Sequence, residues 1–462
     1  MSIASVTNFE ISPLNQSSGS NNTFSYRNGN PIITLRLPST QMYVLTSTLR
    51  LNYVLKAYQP GAGKIPPTNS LIPAAGQVLI SDRIGSNSVI DSVSISTSTN
   101  SSIEQCRNYG RLLASSIPAT SGWNEYSTHL SHWFGGICSS NYEVSAKCLN
   151  SGVQCCSPLL TGVLGSGQNI PLGDTNGTGG LLITIQLNSN NQALFSSVAG
   201  MSGAYYEISD VTLTGKYGIP VGGQLPPIQN IRFSAYQSYY DVINTNDHTG
   251  SIDCRLGAVS SVFSNFIPTT SIQNFAQDGF QTPSLNNQAG GLYNLNAAVR
   301  TVNFMRSGIK YPLQFQIDES GLRQTLQAAG ATPGVGSRLS SFDALRQYYY
   351  QDAVRLTRSD IDALGGARSE GLLPWFDNIL NDSPSLATDL GFPSAPALGR
   401  CFGIGVRYDQ AGVGSSASFK SAPYSFRLTS DLDGVSPTSI YTFFLYSTIM
   451  TMGFNGSVDI AS

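Results

Sequence analysis

Six residues able to ligate a metal crowd into one stretch of the sequence: His129, His132, Cys138, Cys148, Cys155 and Cys156. A closed zinc site needs four such side chains, and it usually preorganises them as close pairs of the Cys-x2-Cys kind. Here His-x2-His is followed by isolated cysteines and then by two adjacent ones, so no preorganised pair is formed. Small buried or half-exposed thiols are the plainer reading, and no metal is assigned. The adjacent Cys155 and Cys156 are the one place where a disulfide to another subunit has to be considered. Seven cysteines make an odd count without framework spacing, which leads us to expect reduced thiols in an intracellular compartment.

Other catalytic signatures are incomplete. The run PGAGK at 60–64 has the look of a phosphate loop. However, Tyr58 stands where its first glycine belongs, and Ile65 replaces the Ser or Thr that would hold magnesium. Only three histidines are present, and no Gly-x-Ser-x-Gly elbow accompanies them. Asp318 with Glu319, and Asp431 with Asp433, read as turn or cap residues rather than as paired acids. Catalytic, cofactor-binding and metal residues are therefore all set at none, no cofactor is expected, and the chain is not expected to be an enzyme.

The elements that must carry these residues are mostly strands. Charged residues make up 11% of the chain, against the roughly 25% usual in soluble proteins. Polarity comes instead from Ser, Thr, Asn and Gln, with Gly and Pro as turn formers, a composition suited to many short strands. Sparse charge also suits a surface covered by neighbours, since interface cores are depleted in charge. The net charge is −2, and Glu10, Arg27 and Arg36 are the only charged side chains in the first 40 residues. Without clustered Lys and Arg, direct nucleic-acid binding is not expected. The N-terminus lacks the basic and apolar regions of a signal peptide, so secretion by that route is not expected.

Alternation of period two is clearest in LLITIQLNSNN, which sets Leu181, Ile183, Ile185 and Leu187 on one face. PYSFRLTSD does the same with Tyr424, Phe426 and Leu428. Further strands are expected at 42–55, 90–98, 211–219, 258–267 and 401–409. Ser101-Ser-Ile-Glu104 has the pattern of a capping box and predicts a short helix that Pro118 closes. Helices are also expected at 319–330 and within 340–366. A coarse echo links the halves: an alternating strand, a connector and a final strand end each of them. The Gly- and Pro-rich segment at 218–230 lies between.

Several stretches, in order, resemble the double jelly-roll major capsid proteins of the virophage, polinton-like and giant-virus lineage. In the first half these are MYVLTSTLRLNY (42–53), then VIDSVSISTSTNSSIEQCRNYGRLL (89–113) with Ile103, Glu104, Asn108 and Tyr109 as an I-E-x-x-x-N-Y pattern, then YYEISDVTLTGKYGI (205–219). In the second half they are LGAVSSVFSNFIP (256–268), VNFMRSGIKYPLQFQID (302–318) with Gly308 and Pro312, and CFGIGVRYD (401–409). The resemblance covers most of residues 35–462. It implies an all-β fold of two consecutive eight-stranded jelly-roll sandwiches with a few short helices in loops. Residues 1–20 would be an N-terminal arm, 21–219 the first roll and 220–230 a linker. Residues 231–462 would be the second roll, with a helical insertion at about 319–366. The implied function is a shell subunit of an icosahedral virion, located in the capsid and assembled inside the host cell. The implied partners are two further copies in a homotrimer with a pseudo-hexagonal outline, neighbouring capsomers, and penton and minor or cement capsid proteins. An internal membrane is possible on this reading but not indicated. The rival readings are a carbohydrate-binding or carbohydrate-cleaving β-sandwich, in which Trp123, Trp133 and Trp375 would stack on sugars, and a viral fibre or spike.

The C-terminal run YTFFLYSTIMTMGFNG (441–456) is uncharged and rich in aromatics. It is shorter than the ~20 apolar residues a membrane helix needs, and Thr and Ser interrupt it. Large side chains on both alternating faces predict a strand covered on both sides. Asn455-Gly456 predicts a hairpin that returns through Val458 and Ile460.

Overall fold

The computed structural model describes residues 3–15, 23–60, 78–81, 84–99, 101–120, 152–175, 177–196, 200–227, 229–245, 247–269, 272–276, 279–280, 299–306, 309–310, 403–408, 416–430, 438–453 and 458–461. The strands of the first half are β1 (Ile3–Ile11), β2 (Ile32–Leu37), β3 (Tyr43–Leu45), β4 (Arg50–Tyr58), β5 (Leu79–Ile80), β6 (Ile90–Thr97), β7 (Ser102–Cys106), β8 (Val153–Ser157), β9 (Asn169–Pro171), β10 (Leu181–Leu187), β11 (Leu194–Phe195) and β12 (Tyr205–Pro220). Those of the second half are β13 (Gln229–Ile243), β14 (Asp247–Ile252), β15 (Val259–Pro268), β16 (Val299–Arg306), β17 (Ile309–Lys310), β18 (Gly403–Arg407), β19 (Tyr424–Ser430), β20 (Thr438–Met452) and β21 (Val458–Ala461). One longer helix, α1 (Tyr109–Thr120), lies in the first half.

The two halves repeat one topology. In the first, β8-β4-β12-β1 form one sheet, widened by β3 and β9 beside β12, and β2-β10-β6-β7 form the other. In the second, β18-β15-β20-β13 and β14-β19-β16-β17 take the same places, and β21 adds to β20. Counting eight strands a to h along each half, both read f-c-h-a and b-g-d-e. That order belongs to a jelly roll, in which two antiparallel sheets face each other across an apolar core.

The alternating segments explain the cores. On β10, Leu181, Ile183, Ile185 and Leu187 are all buried, and the side chains between them are not. Tyr424, Phe426 and Leu428 of β19 are buried in the same way. The echo between the halves corresponds to β10–β12 and β19–β20, which are strands g and h of each roll.

Three expectations need correction. The strand expected at 42–55 is two strands, broken by a 3-10 turn at Thr46–Thr48. The capping-box helix does not start at Ser101: residues 102–106 form β7, paired with β6, and the helix opens only at Tyr109. Asn108 stands between them at a φ of 54°, a left-handed conformation that Asn tolerates better than most residues, and it turns the chain from strand into helix. Pro118 does not close the helix, which runs on to Thr120.

The C-terminal run is β20. It pairs with β13 along its whole length, with β15 over Thr438–Tyr446, and with β21 over Ile449–Met452. The return strand is therefore present, although the turn at 454–457 lies outside the described residues. Residues 438–444 are buried on both faces. No helix among the described residues is long and apolar enough to cross a membrane.

Candidate functional site at the seam between the two rolls

Of the candidate metal ligands singled out in the sequence, only Cys155 and Cys156 lie among the described residues. Cys155 and Cys156 sit on β8, the first buried and the second half-buried. Burial pushes the Cys156 thiol up, and the nearby Arg50 pulls it part of the way back. No cluster of three or more His, Cys, Asp or Glu able to hold a metal occurs among the described residues. His129, His132, Cys138, Cys148, Trp123, Trp133, Trp375, Asp318, Glu319, Asp431, Asp433, Gly308, Pro312, residues 61–65 of the glycine loop and the helices expected at 319–366 lie outside the described residues.

The I-E-x-x-x-N-Y stretch, by contrast, becomes the hub of a seam between the rolls. Glu104 projects from β7 and is 3% exposed. Its carboxylate accepts hydrogen bonds from the backbone N–H groups of Gly162 and Val163, each at 2.8 Å. It also accepts a longer one, at 3.4 Å, from the N–H of Tyr236 on β13 of the second roll. Burial raises the Glu104 carboxyl above the usual glutamate value, and these backbone donors pull it back down. The same surroundings push the Tyr236 phenol up to about 12, with burial the leading cause and Cys106 and Glu104 adding to it.

Gly162 opens a single helical turn, Gly162–Gly165, capped by the Thr161 hydroxyl, which accepts from the Leu164 N–H at 3.2 Å. This turn lies directly on β13. A Cβ on Gly162 would overlap the Ser234 carbonyl oxygen and sit 2.6 Å from the Ala235 Cα. Glycine is thus required there by close approach of two backbones. Asn108 and Tyr109 complete the clasp. The Asn108 amide donates to the Ser238 hydroxyl at 3.2 Å, and that hydroxyl donates to the Arg107 carbonyl at 3.1 Å. The Tyr109 hydroxyl accepts from the Leu160 N–H at 2.9 Å and so fixes the segment that leads to Gly162.

Behind the clasp the contact is apolar. Tyr441 and Phe443 of β20 join one continuous core with Leu112, Leu113 and the first roll's sheets. Ile440 and Phe444 point instead into the second roll's own core. Phe443 stacks on Phe263 of β15 with ring centroids 5.1 Å apart, and Phe444 meets Tyr424 edge-on at 5.1 Å. Arg111, on α1 and 2% exposed, lays its guanidinium over the Tyr441 ring at 4.4 Å, and its carbonyl accepts from Asn265 of β15 at 3.3 Å. A strand covered on both sides thus has one face in its own sandwich and the other in the seam. What this arrangement can do is hold two sandwiches in one fixed relation, and no reactive constellation is built into it.

No protein-family model matches the sequence. No curated protein matches it either. Solved structures do match. PBCV-1 VP54, as fitted into a cryo-EM reconstruction of the virophage Sputnik, superposes with a TM-score of 0.56 at 10% identity, over 99% of this chain and 96% of that one. The Faustovirus major capsid protein gives 0.53 at 8% identity, over 97% and 91% of the two chains. The mavirus major capsid protein gives 0.51 at 11%, over 98% and 90%. At such low identity the likeness speaks for the fold alone, and in that respect it agrees with the strand order: this chain has the double jelly-roll fold of those viral major capsid proteins.

Proposed function

We propose that the chain is a major capsid protein, a structural subunit that trimerises into pseudo-hexagonal capsomers tiling an icosahedral virion. The observation that carries this reading is the repeat. Two rolls of identical strand order are locked by a seam that joins different surfaces, a head-to-tail contact of the kind that generates rings. Full-length similarity to capsid proteins supports it. So does the low charge, which suits a surface covered by neighbours in a shell.

On this reading the working parts are interface and core residues, with no catalysis. The location is the virion, and the partners are two further copies, neighbouring capsomers, and penton and minor or cement proteins. The division proposed is a first roll at 3–220 that takes in β1, expected in the sequence as part of an arm at 1–20, then a linker at 221–228 and a second roll at 229–462 with its insertion at about 319–366. The carbohydrate-binding and fibre readings have no specific observation in their favour. The test is the mass of the purified full chain by light scattering, with a glycan-binding assay alongside. A stable species near three times 49.2 kDa that binds no glycan supports the shell subunit. A monomer that binds or cleaves glycans overturns it.

A further inference from the structure

A cation taken out of water needs an answering charge or a set of acceptors to replace its hydration. Arg111, in the first turn of α1, is 2% exposed, and its Nε and Nη2 groups are buried without a hydrogen-bond partner. The ion pairs among the described residues are His248–Asp241, Arg255–Asp253 and Arg427–Asp247, and Arg111 is in none of them.

Those two nitrogens are the ones that matter for recognition. Nε–H and one N–H of Nη2 point the same way in the guanidinium plane, a fork that fits two oxygens of one planar acid. Arg427 shows the fit in this same chain: its Nε donates to Oδ1 of Asp247 at 2.8 Å and its Nη2 to Oδ2. Around Arg111 there are rings instead. Its guanidinium carbon lies 4.4 Å from the centroid of Tyr441 and 5.7 Å from that of Phe280. Gly110 lets the second ring close on the helix, since a Cβ there would come within 2.6 Å of it. The rings answer part of the charge but give the fork no oxygen to bond. Asp91 on β6 feels the charge of Arg111, which draws its carboxyl down against the rise that burial causes, but it does not reach the fork. A carboxylate on another chain would have to part the seam to reach a guanidinium this buried. A small ion needs only local breathing.

We propose that Arg111 anchors a buried site for a small planar oxyanion, of the carboxylate or bicarbonate class, gripped by Nε and Nη2 at the seam between the rolls. The site lies where α1 of the first roll meets β15 and β20 of the second, and the Arg111 carbonyl itself accepts from Asn265 at 3.3 Å. The bound ion neutralises the buried cation and so strengthens the join between the rolls. Asp91 competes with it for the same cation. None of this depends on the shell-subunit reading.

The test uses formate, which carries two equivalent oxygens and one proton visible by NMR. Thermal melts of the full chain are compared in sodium formate and sodium chloride at equal ionic strength, and formate uptake is read by saturation-transfer NMR. For the wild type we expect a saturable response. At ten times the half-saturating formate concentration, the folding equilibrium should shift by about 11-fold. Arg36→Gln, at an exposed position on β2, should behave the same. Arg111→Lys keeps the charge but not the fork, and should lose the difference between formate and chloride. Asp91→Asn removes the competing charge and should reach half-saturation at lower formate, a readout that stands even where the Arg111 variant fails to fold. A wild type that takes up no formate, its fork served by water alone, overturns the proposal. So does formate binding that survives in R111K or is untouched in D91N.

Discussion

Glu104 is the residue on which the seam turns, and its chemistry sets a pH signature. Because burial raises its carboxyl above the ordinary glutamate value, Glu104 holds its proton more tightly in the fold than in the unfolded chain. The stability tied to that proton is fully present below the unfolded value and is lost as pH rises through the folded one. Glu104→Gln cannot titrate, and its NH2 group faces a backbone N–H that the carboxylate accepted. The stability difference between wild type and E104Q, measured by denaturant melts, should therefore shrink as pH rises from about 4 to about 7. A difference that grows over that range would show that the N–H groups of Gly162, Val163 and Tyr236 outweigh burial. Gly162 makes a second prediction. Gly162→Ala must separate two backbones and should cost about 1–3 kcal/mol, whereas Gly165→Ala, whose Cβ would lie 3.8 Å from Leu160, should be near neutral. Chemical denaturation of the two variants checks this. Neither role could be read locally: the partners of Glu104 lie 58, 59 and 132 residues away. The letters of a capping box were present, but the carboxylate serves a different set of N–H groups.

At the scale of elements, legibility followed periodicity. β10 and β19 each bury one face, so their alternation was plain in the sequence. β7 is only five residues long, and both Ile103 and Glu104 are buried on it, so no alternation marked it as a strand. β20 was legible as a strand because its large side chains fall on both faces, and the seam explains why both are covered. Its last segment is bordered by β21, whose Ala461 carbonyl accepts from the Thr448 hydroxyl at 2.8 Å. Truncation after Gly453 removes β21 and bares the β20 edge from Ile449 to Met452. Loss of soluble trimer and a shift to aggregates in size-exclusion chromatography are expected. A truncated chain that elutes as a trimer would contradict this placement.

At the scale of the whole molecule, the repeated strand order matters more than any single residue. Two like sandwiches are joined by unlike surfaces, and on the proposed shell reading three such chains would close a ring of six similar walls. The pattern of elements ending each half carried a trace of this repeat in the sequence. Of the seam itself the sequence carried only the two-sided apolar pattern of β20, because its other contacts are made where loops and strand edges from separate halves meet. The most direct measurement is single-particle cryo-EM of the purified full chain in solution. A closed ring of three chains with six similar walls is the predicted result. Isolated two-roll particles would contradict the account.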